Sequence, residues 1–328
     1  MRIADMHCDT VSRVYYGRRE GQDISLFDND FSVDFKRMKS GGCQLQFFAC
    51  FADKCMTASV QDDIKGMIKL FREETKRHSD IIRHVQSGDD IERSIAEGKM
   101  SALLTIEDGG VLGGSIDALH RFYDDGVRLI TLTWNYENEL GYPNRINMAT
   151  GECLPETEHG LKDAGIEIVR EMERLGMIVD VSHLGDAGFY DVAANTREPF
   201  VASHSNARAV AGHVRNLTDD MIRIIGSRGG VIGLNFCPAF LEHTLPENEV
   251  STADAMVRHI MHIRNVGGTE VCAIGSDFDG IHGQLEIPSC DKLGVLGDKL
   301  ADAGLSFDEI DAVFAGNVLK FIKNSIKL

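Results

Sequence analysis

Short apolar runs of four to eight residues alternate with amphipathic stretches of a dozen or more along this chain, and that rhythm leaves few folds open. It predicts βα units, with helices packed against a parallel sheet. The candidate strands are Ile3 to Asp9, Cys43 to Phe51, Ser101 to Glu107, Val127 to Thr133, Met177 to Ser182, Phe200 to His204, Gly230 to Asn235 and Val271 to Asp277. Between them, Val60, Ile64, Met67, Ile68 and Phe71 recur on one helical face, as do Leu161, Ile168, Val169, Met172 and Leu175, which Gly176 stops. Thr218 before Asp219 and Asp220 reads as an N-cap, and Ser306 with Glu309 as a capping box. No linker or internal repeat divides the 328 residues, and prolines number only six. Eight strands and their helices are expected to form a single domain, residues 1–328, with an α/β fold: one (β/α)8 barrel of the TIM type.

Composition narrows the function. With 34 basic against 51 acidic residues the net charge is −17, a field that repels phosphate backbones and anionic membranes, so neither nucleic acid nor a membrane surface is an expected partner. No apolar run is long enough for a membrane span, and the first strand begins too near Met1 for a cleaved signal, so a cytoplasmic location is expected. The eight cysteines contain no C-x2-C pair and sit largely in apolar runs, as reduced core thiols would, with Cys8 the one to watch.

The ionisable residues that end the apolar runs carry the chemistry. His7 and Asp9 lie two apart and so share a strand face, while Cys8 points the other way. Further runs end on Glu107, His183, His204 and Asp277. In a parallel barrel the carboxyl ends of all strands open on one face, which brings together residues 270 positions apart. Three histidines and two or three carboxylates exceed what one tetrahedral zinc requires, and a carboxylate can bridge two ions with its two oxygens. Two divalent ions are expected; the ligand types suit zinc and leave manganese, iron or cobalt open.

The series Met6-His7-Cys8-Asp9-Thr10, Ile106-Glu107-Asp108-Gly109, Val179-Asp180-Val181-Ser182-His183, Ala202-Ser203-His204-Ser205-Asn206, His213-Val214-Arg215-Asn216-Leu217 and Gly275-Ser276-Asp277-Phe278-Asp279-Gly280 resembles the membrane (renal) dipeptidase family, the M19 metallopeptidases. The tail Ala315-Gly316-Asn317-Val318-Leu319-Lys320-Phe321 resembles that family's closing helix. The resemblance implies a zinc-dependent dipeptidase in which His7 and Asp9 bind one zinc, Glu107 bridges, and His183 with His204 bind the second. It further implies that Arg215 grips the substrate's terminal carboxylate, and that a hydroxide held between the ions attacks the scissile carbonyl while Asp277 shuttles the proton. Asp279 is a weaker candidate for that proton transfer.

One position departs from the family pattern. Where the mammalian enzymes place a histidine after the fourth strand, this chain reads Leu132-Thr133-Trp134-Asn135-Tyr136-Glu137-Asn138. Trp134 is a pocket wall or a lone donor, and Asn135 or Asn138 could supply the missing hydrogen bond. The expected substrate is a free dipeptide, L,L and with tolerance for L,D. The alternatives are an amidohydrolase acting on N-acyl amino acids or cyclic amides, and a silent binding barrel. A homodimer remains open. His259 and His262, three apart, read as a polar helix face. The stretches 135–158 and 236–250 are the candidate lids.

Overall fold

The computed structural model describes residues 1–147, 152–242 and 250–326. Eight parallel strands form one curled sheet: β1 (Ile3–Asp5), β2 (Cys43–Cys50), β3 (Ile82–Val85), β4 (Met100–Glu107), β5 (Val127–Thr131), β6 (Ile178–Asp180), β7 (Ile232–Leu234) and β8 (Cys272–Ile274). Their order is β6-β5-β4-β2-β1-β8-β7, with β3 added beside the first half of β4.

Seven of the eight expected strands are present, and the eighth differs. The segment 200–204 makes single parallel bridges, Val201 to Asp180 and Ala202 to Ile232, between the two end strands of the sheet. Its next two backbone donors go to side chains: Ser203 N–H to Asp180 Oδ1 at 2.8 Å and His204 N–H to Ser182 Oγ at 3.1 Å. β3 was not expected from the sequence. Its four residues, Ile82-Arg83-His84-Val85, carry only two apolar side chains, too few to register as a run.

Alternation along the strands separates two cores. Ala4, Leu45, Phe47, Leu103, Leu129, Ile178 and Ala273 point to the inner face of the curl, where the C-terminal helix Asn317–Ser325 adds Val318, Phe321 and Ile322. Ile3, Cys43, Phe48, Leu104, Ile130, Val179 and Cys272 face the surrounding helices. Burial on both faces explains why the strands read as nearly continuous apolar runs. Helix Val60–Arg77 buries Ile64, Met67, Ile68 and Phe71 as its periodicity requires. Gly176 ends helix Asp163–Leu175 in the left-handed region, φ 69°, Thr218 caps helix Asp219–Ser227, and Ser306 and Glu309 form the capping box.

Cys8, Cys43, Cys50, Cys272 and Cys290 are buried thiols. Among the described residues no helix is long and apolar enough to cross a membrane. Both candidate lid stretches include residues outside those described, 148–151 and 243–249. What is described of them includes an antiparallel pair, Arg145–Ile146 with Cys153–Leu154, and Val250–Ser251 beside Gln284–Leu285.

Candidate active site

The carboxyl ends of the strands gather the polar groups. The bend at Met6 shifts the alternation by one: Ala4 and Met6 lie in the inner core, yet His7 and Asp9 also turn inward, while Cys8 pairs with Phe278 and turns its thiol to Phe47 O, away from the site. Glu107 is the last residue of β4, and its strand register puts it beside Thr131, which in turn lies beside Asp180. His183 and Asp277 follow β6 and β8 with φ of 68° and 62°. Residues with a side chain rarely adopt that conformation, which costs on the order of 1–3 kcal/mol and is retained where the surroundings enforce it.

These side chains converge although all are buried. His7 Nε2 lies 3.2 Å from Asp9 Oδ2, 3.7 Å from Glu107 Oε2 and 3.8 Å from Asp277 Oδ1. On the other side of the same carboxylate, Glu107 Oε1 lies 2.9 Å from His183 Nε2 and 3.6 Å from His204 Nε2, and the two Nε2 atoms are 2.9 Å apart. Glu107 therefore presents one oxygen to each half of the cluster.

The proton positions point to a cation. His183 Nδ1–H donates to Asn135 Oδ1 at 2.8 Å. His204 Nδ1–H donates to Ser203 Oγ at 2.7 Å, because the Ser203 hydroxyl itself donates to the Asp180 carboxylate at 2.6 Å. Each imidazole thus turns its Nε2 lone pair toward the other and toward Glu107 Oε1, and with Glu107 ionised no hydrogen lies among the three acceptors. A divalent ion fits that gap. In the other half, Asp9 Oδ1 is buried without a hydrogen-bond partner among the described residues. A Cβ at residue 280 would lie 2.1 Å from Asp9 Oδ2 and 2.7 Å from Asp277 Oδ1, so Gly280 leaves the carboxylates room. Two groups have metal-ligand spacing, His7 with Glu107 and His204, and His7 with Asp9 and Asp277.

The electrostatics agree. Burial, then the neighbouring charge of Asp9, raises Glu107 well above the usual carboxylate range, and burial raises Asp277 to about 6. Burial works against a charged His7, but its hydrogen bond to Asp9 and the charges of Asp9, Glu107 and Asp277 prevail, lifting it to about 10. Burial, joined by the positive charge of Arg215, pushes His183 and His204 down. Three buried carboxylates this close call for positive charge between them.

Arg215 is buried beside the cluster, with Nη2 3.4 Å from His204 O, its guanidinium 5.4 Å from the Phe240 ring centre and its Nε unpartnered among the described residues. Trp134 packs against Phe51 and Tyr136, ring centres 4.8 and 5.2 Å away, and its ring centre is 6.3 Å from that of His183. Of the two asparagines expected as donors, Asn135 orients His183, and Asn138 is engaged by its own loop, donating to Asp108 Oδ1 and Leu132 O. Asp279 is likewise held, its oxygens accepting from Thr10 Oγ1 at 2.5 Å and Ser32 N–H at 2.7 Å, an arrangement that pins a neighbouring loop.

Sequence reasoning missed Asn235, whose Nδ2 donates to Asp277 Oδ2 at 2.8 Å and lies 3.3 Å from His204 O. Its signal was available: it ends an apolar run as the other site residues do. His259 corrects an expectation. It is fully buried in helix Ala253–Gly267, with Nδ1 accepting from Ala207 N–H at 3.1 Å and Nε2 donating to Leu241 O at 3.0 Å, while His262 pairs with Asp219.

Comparison with known proteins places this site in a family. The family model for membrane dipeptidase (peptidase family M19) matches residues 1–327. An uncharacterised dipeptidase of Schizosaccharomyces pombe is 30% identical over 342 aligned positions, covering 99% of this chain and 80% of that protein. Two solved structures superpose over 99% of both chains: dipeptidase AC, a metallopeptidase of family M19, with 27% identity and a TM-score of 0.88, and a metallopeptidase from Rhodobacter sphaeroides bound to a phosphinate mimic of the dipeptide L-Ala-D-Ala, with 26% identity and a TM-score of 0.87. The M19 relationship implies divalent metal cofactors, consistent with the donor set. The chain belongs to the membrane dipeptidase family, peptidase family M19, and is a hydrolase that acts on dipeptides.

Proposed function

We propose that this enzyme cleaves free dipeptides at a pair of divalent ions, zinc by preference, within a single (β/α)8 barrel closed through the segment 200–204. The observation that carries the reading is the two-sided placement of Glu107, with His7, Asp9 and Asp277 on one side and His183 and His204 on the other. His7 and Asp9 would hold one ion, His183 and His204 the other, and Glu107 would reach both. Bound there, the ions would supply Lewis acidity toward the scissile carbonyl and toward water.

The remaining steps fall to the protein. Arg215, buried and with Nε unpartnered among the described residues, offers a planar fork to the substrate's terminal carboxylate. Asp277, oriented by Asn235 and with a pKa raised by burial to about 6, is poised to take a proton near neutral pH and return it to the leaving amine. Trp134, with Phe51 and Tyr136, forms an apolar wall, and Asn135 acts through His183. The L-Ala-D-Ala mimic on the Rhodobacter sphaeroides relative supports tolerance of a D-residue at the carboxyl side.

The test pairs elemental analysis with assays of zinc-loaded and chelator-treated protein on L,L- and L,D-dipeptides and their amino-blocked forms. About two zinc per chain with chelator-sensitive cleavage of free dipeptides is the expected result. Cleavage of blocked substrates alone would reassign the enzyme to N-acyl amino acids, and absence of metal after reloading would overturn the site.

A further inference from the structure

Two buried aspartates in this molecule are built alike. Asp5 ends β1 and accepts from His7 N–H at 3.3 Å, Ser276 N–H at 2.9 Å and Ser276 Oγ at 2.6 Å. Asp180 ends β6 and accepts from Ser182 N–H at 3.0 Å, Ser203 N–H at 2.8 Å, Ser203 Oγ at 2.6 Å and Thr131 Oγ1 at 2.6 Å. In each case the serine belongs to the neighbouring segment and immediately precedes a site residue, Asp277 or His204. Both clamps join two strand ends below the site.

The clamps differ in one respect. Apart from Asp5, the groups that Ser276 Oγ meets are of the backbone, His7 O at 3.3 Å and Phe278 N–H at 3.2 Å. Ser203 Oγ lies 2.7 Å from a ring nitrogen, His204 Nδ1. We infer that Asp180 is a positioning residue that, through Ser203, fixes which nitrogen of His204 carries the proton and so keeps Nε2 free as a donor to the metal. A carboxylate can only accept. The single Ser203 proton must therefore point at Asp180, and the oxygen is left to accept from Nδ1–H. The geometry is enforced from behind: a Cβ at Gly233 or Gly275 would sit 1.9 or 1.8 Å from Ser203 O, so both residues must be glycine for the Ser203 backbone to lie where it does. The inference rests on the reading of His204 as a metal ligand.

Asp180→Asn has a definite consequence. Asp180 Oδ1 accepts two backbone N–H groups, so the amide of the variant keeps its oxygen there and turns its NH2 toward Ser203 Oγ. Turned away from position 180, the serine proton meets His204 Nδ1 at 2.7 Å and Ser182 Oγ at 3.4 Å; the shorter contact favours Nδ1, which leaves the ring proton on Nε2, where it competes with coordination. Removing the hydroxyl as well, in Asp180→Asn with Ser203→Ala, lifts the block.

The experiment measures zinc affinity by competition with a chromophoric chelator, with thermal unfolding of the metal-free proteins alongside. Asp180→Asn is expected to weaken one of the two ions by about 10- to 100-fold, the range seen when such supporting partners are lost. The double variant is expected to regain part of that loss. If the double variant binds no better than Asp180→Asn, or if Asp180→Asn binds as the unaltered protein does, the relay is wrong. Asp5→Asn with and without Ser276→Ala serves as the control and is expected to show no such rescue. Should Asp180→Asn not fold, Ser203→Ala alone, which leaves Asp180 three donors, is expected to weaken the same ion, and an unchanged affinity would overturn the inference. His204→Ala separates the two readings: retention of full zinc by that variant sinks the ligand assignment, whereas its loss of an ion beside an unaffected Asp180→Asn sinks the relay alone.

Discussion

At Gly280 the absence of a side chain makes room for two carboxylates. The residue is exposed and its φ lies outside the left-handed region, so Gly280→Ala should leave the thermal midpoint of the metal-free protein nearly unchanged while displacing Asp9. Zinc affinity and kcat should each fall at least about tenfold, the range expected when a metal site's support is disturbed. Asp277→Asn should keep fold and metal yet lower kcat by about 10²- to 10⁴-fold, the usual worth of a general acid–base group, and near-native turnover would refute its proton-transfer role. At this scale much was legible in the sequence. His7, Asp9, Glu107, His183, His204 and Asp277 each interrupt or end an apolar run, and parallel strands bring such ends together. What Asn135 and Asp180 do was not legible, because it depends on hydrogen bonds to residues 48 and 23 positions away.

Helix Ala253–Gly267 shows where spacing alone misleads. His259 and His262 have the separation of a polar face, yet the helix packs so that His259 is enclosed and only His262 reaches a charged partner. His259 must be neutral, since its Nδ1 already faces the Ala207 N–H, and burial lowers its pKa to about 4. The unfolded chain, near 6.5, therefore binds more protons than the folded one between about pH 6.5 and pH 4. The stability linked to His259 is complete above about 6.5 and is lost as pH falls toward 4. Urea midpoints should drop across that window, and His259→Gln should flatten the drop while costing about 1–2 kcal/mol at neutral pH; an equal drop in the variant would show that other groups set the acid limit. The strands carried a comparable ambiguity. Phe200-Val201-Ala202 reads as a strand start, but Ser203 and His204 give their backbone donors to Asp180 and Ser182 side chains, which no periodicity reveals. β3 escaped notice because Arg83 and His84 occupy its middle.

For the whole molecule, cation binding and folding should be linked. Asp9, Glu107 and Asp277 are buried within one cluster in a chain of net charge −17, so ions that neutralise them bind the folded form in preference to the unfolded one. Stabilisation should grow with the logarithm of free zinc, to about 2.7 kcal/mol at a hundredfold excess over Kd. Chelation should lower the unfolding temperature and readdition of zinc restore it; a midpoint indifferent to both would mean that the cluster holds no ion.

Because Glu107 turns one oxygen to each half, its side-chain torsions are a shared coordinate. Any rotation that improves one half moves the other, so occupancy of the two halves would be coupled: the first ion to arrive would set the carboxylate that the second meets. A binding isotherm that departs from that of independent sites would be the thermodynamic trace of this one residue, and substitutions in either half would be felt across the other.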